Sequence, residues 1–176
     1  ELQARFDEAN NIRWTNRLRG EGIKVVSGVQ GLKVHSKLTL IRRDEGKEKL
    51  VDYCVIGTGN YHEGTARVYT DYHLMTNDKR IAKEARKVFQ FIESPYKQYA
   101  FRHLLVSPNT TRSGLEALID REIANAKAGK RAEVWVKINS ISDHGMINKL
   151  YQASDAGVQI KLVVRGICCL DMAHPK

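Results

Sequence analysis

Cysteine is sparse in this sequence. The three residues, Cys54, Cys168 and Cys169, are an odd number without metal-ligand spacing, and the adjacent pair cannot bridge to each other without strain. A disulfide framework is therefore excluded, and a reduced, cytoplasmic protein is expected. Long apolar runs are missing as well: nothing approaches the roughly 20 residues of a membrane span. The opening residues Glu1-Leu2-Gln3-Ala4-Arg5-Phe6 have neither the charged start nor the apolar stretch of a secretory signal. Acidic charge is in deficit, with 20 Asp and Glu against 29 Lys and Arg. What is present is a chain of 176 residues, 42% hydrophobic and 28% charged, enough to bury roughly two-thirds of its unfolded surface in one or two cores.

The net charge of +9 is spread over all the segments. Such a field attracts polyanions. Nucleic acid, nucleotides, phospholipid head groups and inorganic phosphate chains would all respond to it, so the motifs must choose among them.

Alternation predicts strands at Ile23 to Ser27, Leu32 to Ile41, Leu50 to Ile56 and Arg67 to Met75, the middle pair joined as a hairpin by the charged turn Arg43-Asp44-Glu45-Gly46-Lys47. Helical spacing runs from about Asp7 to Arg19 and from Asp78 to Glu93, where Ser94-Pro95 stops it. A second set follows: strand His103 to Val106, helix Thr111 to Lys127, strand Ala132 to Ile138, helix Met146 to Ala156 and strand Val158 to Val164. Strands alternating with helices argue for a mostly parallel sheet in that part. The order strand, helix, Gly, strand in Ala132 to Arg165 also resembles that of residues 1 to 27, a weak sign of internal duplication. Both ends look cut, so the sequence reads as a piece of a larger protein.

Four constellations carry possible chemistry. In Gly31-Leu32-Lys33-Val34-His35-Ser36-Lys37-Leu38, a strand would set Lys33, His35 and Lys37 in one polar row, about 6.5 to 7 Å apart. Two flanking cations disfavour the protonated imidazole, lowering it from about 6.5, and would hold an incoming phosphoryl group. Taken in isolation, an H-x-K triplet reads first as a solvated edge strand whose lysines guard against edge pairing. Gly57-Thr58-Gly59-Asn60 allows backbone N–H groups to approach phosphate oxygens, though it also reads as a plain turn. In Ala66 to His73, alternation would set Arg67, Tyr69, Asp71 and His73 on one face: a cation, a base-stacking ring, a carboxylate able to orient His35, and a second imidazole. Arg5 and Arg165 stand at or just after apolar strands, where open sheets gather phosphates.

These segments occur in a recognisable order. Ala4-Arg5-Phe6-Asp7-Glu8 is followed by Gly31 to Lys37, Ile56-Gly57-Thr58-Gly59-Asn60-Tyr61 and Ala66-Arg67-Val68-Tyr69-Thr70-Asp71-Tyr72. Then come Phe91-Ile92-Glu93-Ser94-Pro95-Tyr96, Asp120 to Ala126, and Leu162-Val163-Val164-Arg165-Gly166-Ile167-Cys168. The set closely resembles the carboxyl-terminal half of the bacterial polyphosphate kinases, a family of the phospholipase D-like superfamily. The resemblance implies an α/β fold, a phospholipase D-like mixed sheet flanked by helices plus the start of a second similar domain. Residues 1–100 would form the nucleophile domain, incomplete at its N-terminal side, and 101–176 the truncated beginning of its partner. It further implies reversible transfer of the terminal phosphate of ATP to inorganic polyphosphate through a phosphohistidine, with Mg²⁺ as cofactor.

On this resemblance His35 is the phosphorylated residue, and Lys37, Asn60 and Asp71 support it. Tyr69, Arg165, Lys33 and Arg67 meet ATP and its phosphates, and Arg5 lies at the magnesium–phosphate site. An Arg has no lone pair to offer a cation, so Arg5 belongs on the phosphates that Mg²⁺ bridges. A homo-oligomeric parent, and peripheral association with the inner membrane, are also implied. The Asp that usually stands five residues after the Lys of H-x-K in hydrolytic relatives is here Arg42, and the family's second catalytic His falls outside the sequence. Alternatives left open are a phospholipase D-like phosphodiesterase or nuclease and a non-catalytic polyanion-binding module. The fragment alone is expected to be inactive or only phosphate-binding.

Overall fold

The structure is a computed structural model that describes residues 8–46 and 49–171. It divides into two compact units, Glu1–Leu104 and Leu105–Lys176. The first contains, in order, α1 (Glu8–Gly20), β1 (Lys37–Asp44), β2 (Leu50–Gly57), α2 (Glu63–Val68), β3 (His73–Thr76) and α3 (Lys79–Glu93). β1 and β2 form the expected hairpin, paired from Lys37 opposite Gly57 to Asp44 opposite Leu50. β3 joins the other side of β2, antiparallel, giving the order β1-β2-β3.

Directly opposed residues in a ladder share a face, so Leu38 and Ile56, then Leu40 and Cys54, project together. With Ile81, Ala82 and Ala85 of α3 they make the core of this unit. Burial pushes the Cys54 thiol upward from its ordinary range, which suits an inert packing residue. α3 begins where Asp78 accepts from the N–H groups of Arg80 at 2.8 Å and Ile81 at 3.3 Å, a side-chain cap on an otherwise strongly amphipathic segment.

Two acids tie α3 to its surroundings. Asp52, almost buried, accepts from Arg42 Nε at 2.9 Å and pairs on its other oxygen with Arg86 of α3. Glu84, only 5% exposed, accepts three backbone N–H groups, from Arg102 at 2.8 Å and from His103 and Leu104 at 2.9 Å each. Burial works to raise its pKa, but the three amide donors outweigh it and the group is held below the ordinary carboxylate range.

Several expected strands take other forms. Residues 23–28 form no ladder. Instead the Arg19 guanidinium donates to Val25 O at 3.4 Å and Ser27 Oγ at 3.2 Å, so the duplication suggested for residues 1 to 27 is not reproduced there. The strand expected from Leu32 starts only at Lys37. Leu32 closes a tight turn on Val29 O at 3.0 Å with Gly31 at φ +75°, and 33–36 run ahead of the ladder. Lys33 and His35 therefore do not share a strand face with Lys37. Arg67 and Val68 fall in α2, not in a strand, because His62 caps Thr65 N at 3.1 Å and Arg67 pairs with Glu63 one turn away. The row Arg67, Tyr69, Asp71, His73 is broken accordingly. No strand forms at His103 to Val106, whose first amides are given to Glu84.

The second unit follows its sequence pattern more closely: α4 (Thr111–Lys127), β4 (Glu133–Ile138), α5 (His144–Asp155) and β5 (Gln159–Val164). β4 and β5 are parallel, in register from Glu133 opposite Gln159 to Ile138 opposite Val164. Ile119, Ala132, Ile141, Ile147, Leu150, Ala153 and Val158 are its core. Asp143 caps α5 through Met146 N at 2.8 Å and takes Arg112 Nη1 at 2.9 Å. The Arg112 guanidinium, followed by the cap, holds the Asp143 carboxyl below its usual range.

Replacing Glu84 with Gln should lower stability by about 2 kcal/mol, since hydrogen bonds to charged groups contribute roughly 1.5–3 kcal/mol. The wild-type carboxyl binds its proton less readily when folded than when unfolded. Its contribution is therefore complete above the unfolded pKa of about 4.3 and disappears as pH falls through the lower folded value. Denaturant melts between pH 7 and 3 should show an acid-side loss that Glu84→Gln lacks.

Candidate active site

The ends of the three strands of the first unit carry four of the nine proposed residues, His35, Lys37, Asn60 and Asp71, on or beside them. Lys37 opens β1, Gly57 closes β2 and His73 opens β3, and the register pairs Lys37 with Gly57 and Gly57 with His73. The three share the face opposite α3, with no side chain on the middle one. Lys37 Nζ donates to His35 O at 2.7 Å and lies 3.1 Å from His35 Nδ1 and 3.2 Å from Nε2. An ammonium needs a lone pair to donate to, so this contact favours the neutral imidazole. His35 is exposed and Lys37 half-buried, so the nucleophile candidate stands at the surface while its cation is anchored.

Beyond β2 the chain turns through Thr58, Gly59 and Asn60. Thr58 N donates to Tyr72 O at 3.0 Å, Tyr72 N donates to Thr58 Oγ1 at 3.1 Å, and Thr58 Oγ1 donates to Asp71 Oδ1 at 2.9 Å. Asp71 is thus placed on Thr58. A Cβ at Gly59 would fall inside the Asp71 carboxylate, so this approach requires glycine. Asn60 is exposed on the turn, its carbonyl accepting from His62 N at 2.8 Å. Tyr61 then crosses the same face: its hydroxyl is 3.0 Å from Thr39 Oγ1, and its ring stacks on His73 with centroids 6.1 Å apart. Sequence spacing gave no sign of the Thr39–Tyr61 contact, because the turn that folds Tyr61 back over β1 is legible only once Gly59 is seen against Asp71.

The remaining candidates lie elsewhere. Lys33 is exposed in the segment ahead of β1, Tyr69 is 44% exposed just after α2, and Arg67 is turned onto Glu63. Arg165 belongs to the second unit, where its guanidinium clasps Asn139 Oδ1 through Nε at 2.7 Å and through Nη2 just after β5. Arg5 lies outside the described residues. Among the described residues no group of three or more His, Cys, Asp or Glu could hold a metal ion.

Residues 1–98 match the family model "Polyphosphate kinase C-terminal domain 1", and residues 104–176 match "Polyphosphate kinase C-terminal domain 2". The chain belongs to the polyphosphate kinase family. Polyphosphate kinase of Vibrio vulnificus (strain YJ016) is 53% identical over 170 residues, 97% of this chain and 24% of that protein. That of Escherichia coli (strain K12) is 51% identical over 170 residues, 97% of this chain and 25% of that protein. The chain thus spans about a quarter of the length of these curated relatives. The crystal structure of polyphosphate kinase from Porphyromonas gingivalis superposes with a TM-score of 0.84 at 41% identity, covering 99% of this chain and 29% of that one. The mixed α/β fold expected from the sequence is that of this polyphosphate kinase.

Gly59→Ala should lower stability by about 2 kcal/mol, in the range of overpacking substitutions. Thr58→Val, which loses the hydrogen bonds without the clash, should lower it by about 1 kcal/mol. Thermal melts of the two variants check the order. A Gly59→Ala protein as stable as the wild type would contradict the close approach.

Proposed function

We propose that the chain carries the phosphoryl-accepting half of a reversible ATP:polyphosphate phosphotransferase, with His35 as the nucleophile. The supporting observation is the Lys37 ammonium set against both ring nitrogens of His35 and anchored on its carbonyl. A neutral imidazole offers a lone pair to the terminal phosphorus of ATP; the bond to ADP breaks and its electron pair leaves with the nucleotide. As charge develops on the phosphoryl oxygens, the ammonium shifts from the ring to them and stabilises the transfer. The phosphohistidine then passes the group to the end of a polyphosphate chain.

In this reading Thr58, Asp71 and Asn60 shape the turn beside the nucleophile, Tyr69 and Arg67 meet the nucleotide, and Lys33 draws its phosphates. Arg165 holds nucleotide phosphate, and Arg5 faces the phosphates that Mg²⁺ bridges. The described residues supply no cage for that cation, so Mg²⁺ would travel with the nucleotide phosphates, whose charge it would neutralise. Among the described residues no helix is long and apolar enough to cross a membrane. Cytoplasmic residence, with peripheral association at the inner membrane, belongs to the same reading, as does a homo-oligomeric parent.

The test is an intact mass after incubation with ATP and Mg²⁺ at neutral pH, repeated after brief acid treatment. The expected result is a gain of one phosphoryl group that acid removes and that His35→Ala prevents. In the full-length protein, His35→Ala should abolish polyphosphate synthesis, and turnover at the wild-type rate by that variant would sink the nucleophile assignment. Binding of polyphosphate by wild type and His35→Ala alike, with no phosphoryl transfer by either, would leave the polyanion-binding reading.

A further inference from the structure

The second imidazole of the sheet end, His73, has no part in the scheme above, yet the register sets it in line with Lys37. Two strand spacings, about 9.5 Å, separate the Cα atoms of Lys37 and His73. The ring does not stand upright on its own strand. A Cβ built at Gly57 would lie 2.5 Å from His73 Cδ2 and 2.7 Å from Nε2, but 3.5 Å from Cγ. The Cδ2–Nε2 edge therefore leans over the middle strand, into the space that any other residue at 57 would fill. Tyr61 stacks on the ring and is itself tied to Thr39 of β1, so the imidazole is held down from above.

This leaves Nε2 as the nitrogen nearest the middle of the face on which Lys37 projects. Resting on the nucleophile reading, we propose that His73 is a further catalytic residue, donating a hydrogen bond from Nε2 to an oxygen of the phosphoryl group as it moves onto His35. Nε2 carries a proton in the imidazolium and in the Nε2–H tautomer of the neutral ring, and it is from these forms that His73 donates. The covalent balance is unchanged: the phosphorus–oxygen bond to ADP breaks, the phosphorus–nitrogen bond to His35 forms, and His73 keeps its proton. Lys37 would grip the group from β1 and His73 from β3, across a glycine that leaves the space between them open. The ligand class is a terminal phosphoryl group with at least two unbridged oxygens, one for each donor.

The experiment measures single-turnover phosphorylation of His35 by ATP and Mg²⁺ in the full-length protein, with melting temperatures alongside. His73→Phe keeps a ring over Gly57 and against Tyr61 but has no donor, whereas His73→Gln keeps an N–H. The expected result is a rate about 10- to 100-fold lower in His73→Phe, the range for one hydrogen bond to a charged group, with KM for ATP unchanged and most of the rate recovered in His73→Gln. Should His73→Phe melt early, His73→Gly with added imidazole replaces it, and rescue of the rate is expected. Wild-type rates in His73→Phe, equal slowing of the Phe and Gln variants, or a slow His73→Gly without rescue would each overturn this role while leaving His35 as nucleophile. Absence of phosphoryl transfer to His35 in the wild type would overturn both readings together.

Discussion

The site depends on one alignment, Lys37 opposite Gly57 opposite His73, at the end of a three-stranded antiparallel sheet. Alternation makes that alignment all or nothing. The same register that puts Lys37, Gly57 and His73 on the open face puts Leu38 and Ile56 toward α3, and a slip by one residue would exchange the two sets. The small core formed by Cys54, Ala82 and Ala85 with its partly buried neighbours therefore does more than stabilise the unit. It selects which side chains lie on the open face. Glycine in the middle of the row removes the obstruction that any side chain there would present.

Several of the acids are engaged in building the fold. Asp52 is taken up by Arg42 and Arg86, Glu84 by three backbone amides, Asp78 by the start of α3 and Asp143 by Arg112 and the start of α5. Each is engaged within its own unit and builds the fold. Asp71, the carboxylate just ahead of β3, is held by Thr58 of the turn after β2. Within the first unit, Asp52 lies on the sheet face that packs against α3, opposite the one on which Lys37 stands.

Much of this was legible in the sequence, and the exceptions share a cause. The hairpin, α3 and the strand–helix–strand order of the second unit were read from periodicity, since there the apolar pattern and the pairing partner agree. Periodicity reports that a segment can extend, not that a partner strand exists beside it. Ile23 to Ser27 and residues 33–36 alternate well, but the first is met by Arg19 and the second runs past the end of β2 at Gly57. Around Arg67 the local terms decided, a His62 cap and a Glu63–Arg67 pair one turn apart, against an alternation that favoured a strand. His35 and Lys37 were brought together as expected, though by an ammonium folding back on its own chain and not by a shared strand face. The loss of the strand is useful to a nucleophile. An imidazole ahead of the ladder is free of the ladder's spacing, and a single lysine on the first ladder residue can reach both its ring and its carbonyl.

Arg42, five residues after Lys37, has a physical reason in the same register. It lies directly opposite Asp52, on the face that packs against α3, where Arg86 also reaches the Asp52 carboxylate. Two guanidiniums sharing one nearly buried acid leave a positive excess, and that acid fixes the hairpin to the helix. An aspartate at position 42 would place two carboxylates in directly opposed positions with only Arg86 between them, where like charges repel. An acid at position 42 and the acid at position 52 would therefore oppose each other on this sheet. The departure from that pattern is compensated across the strand, and the charge at position 42 holds the sheet to α3 on the face away from Lys37.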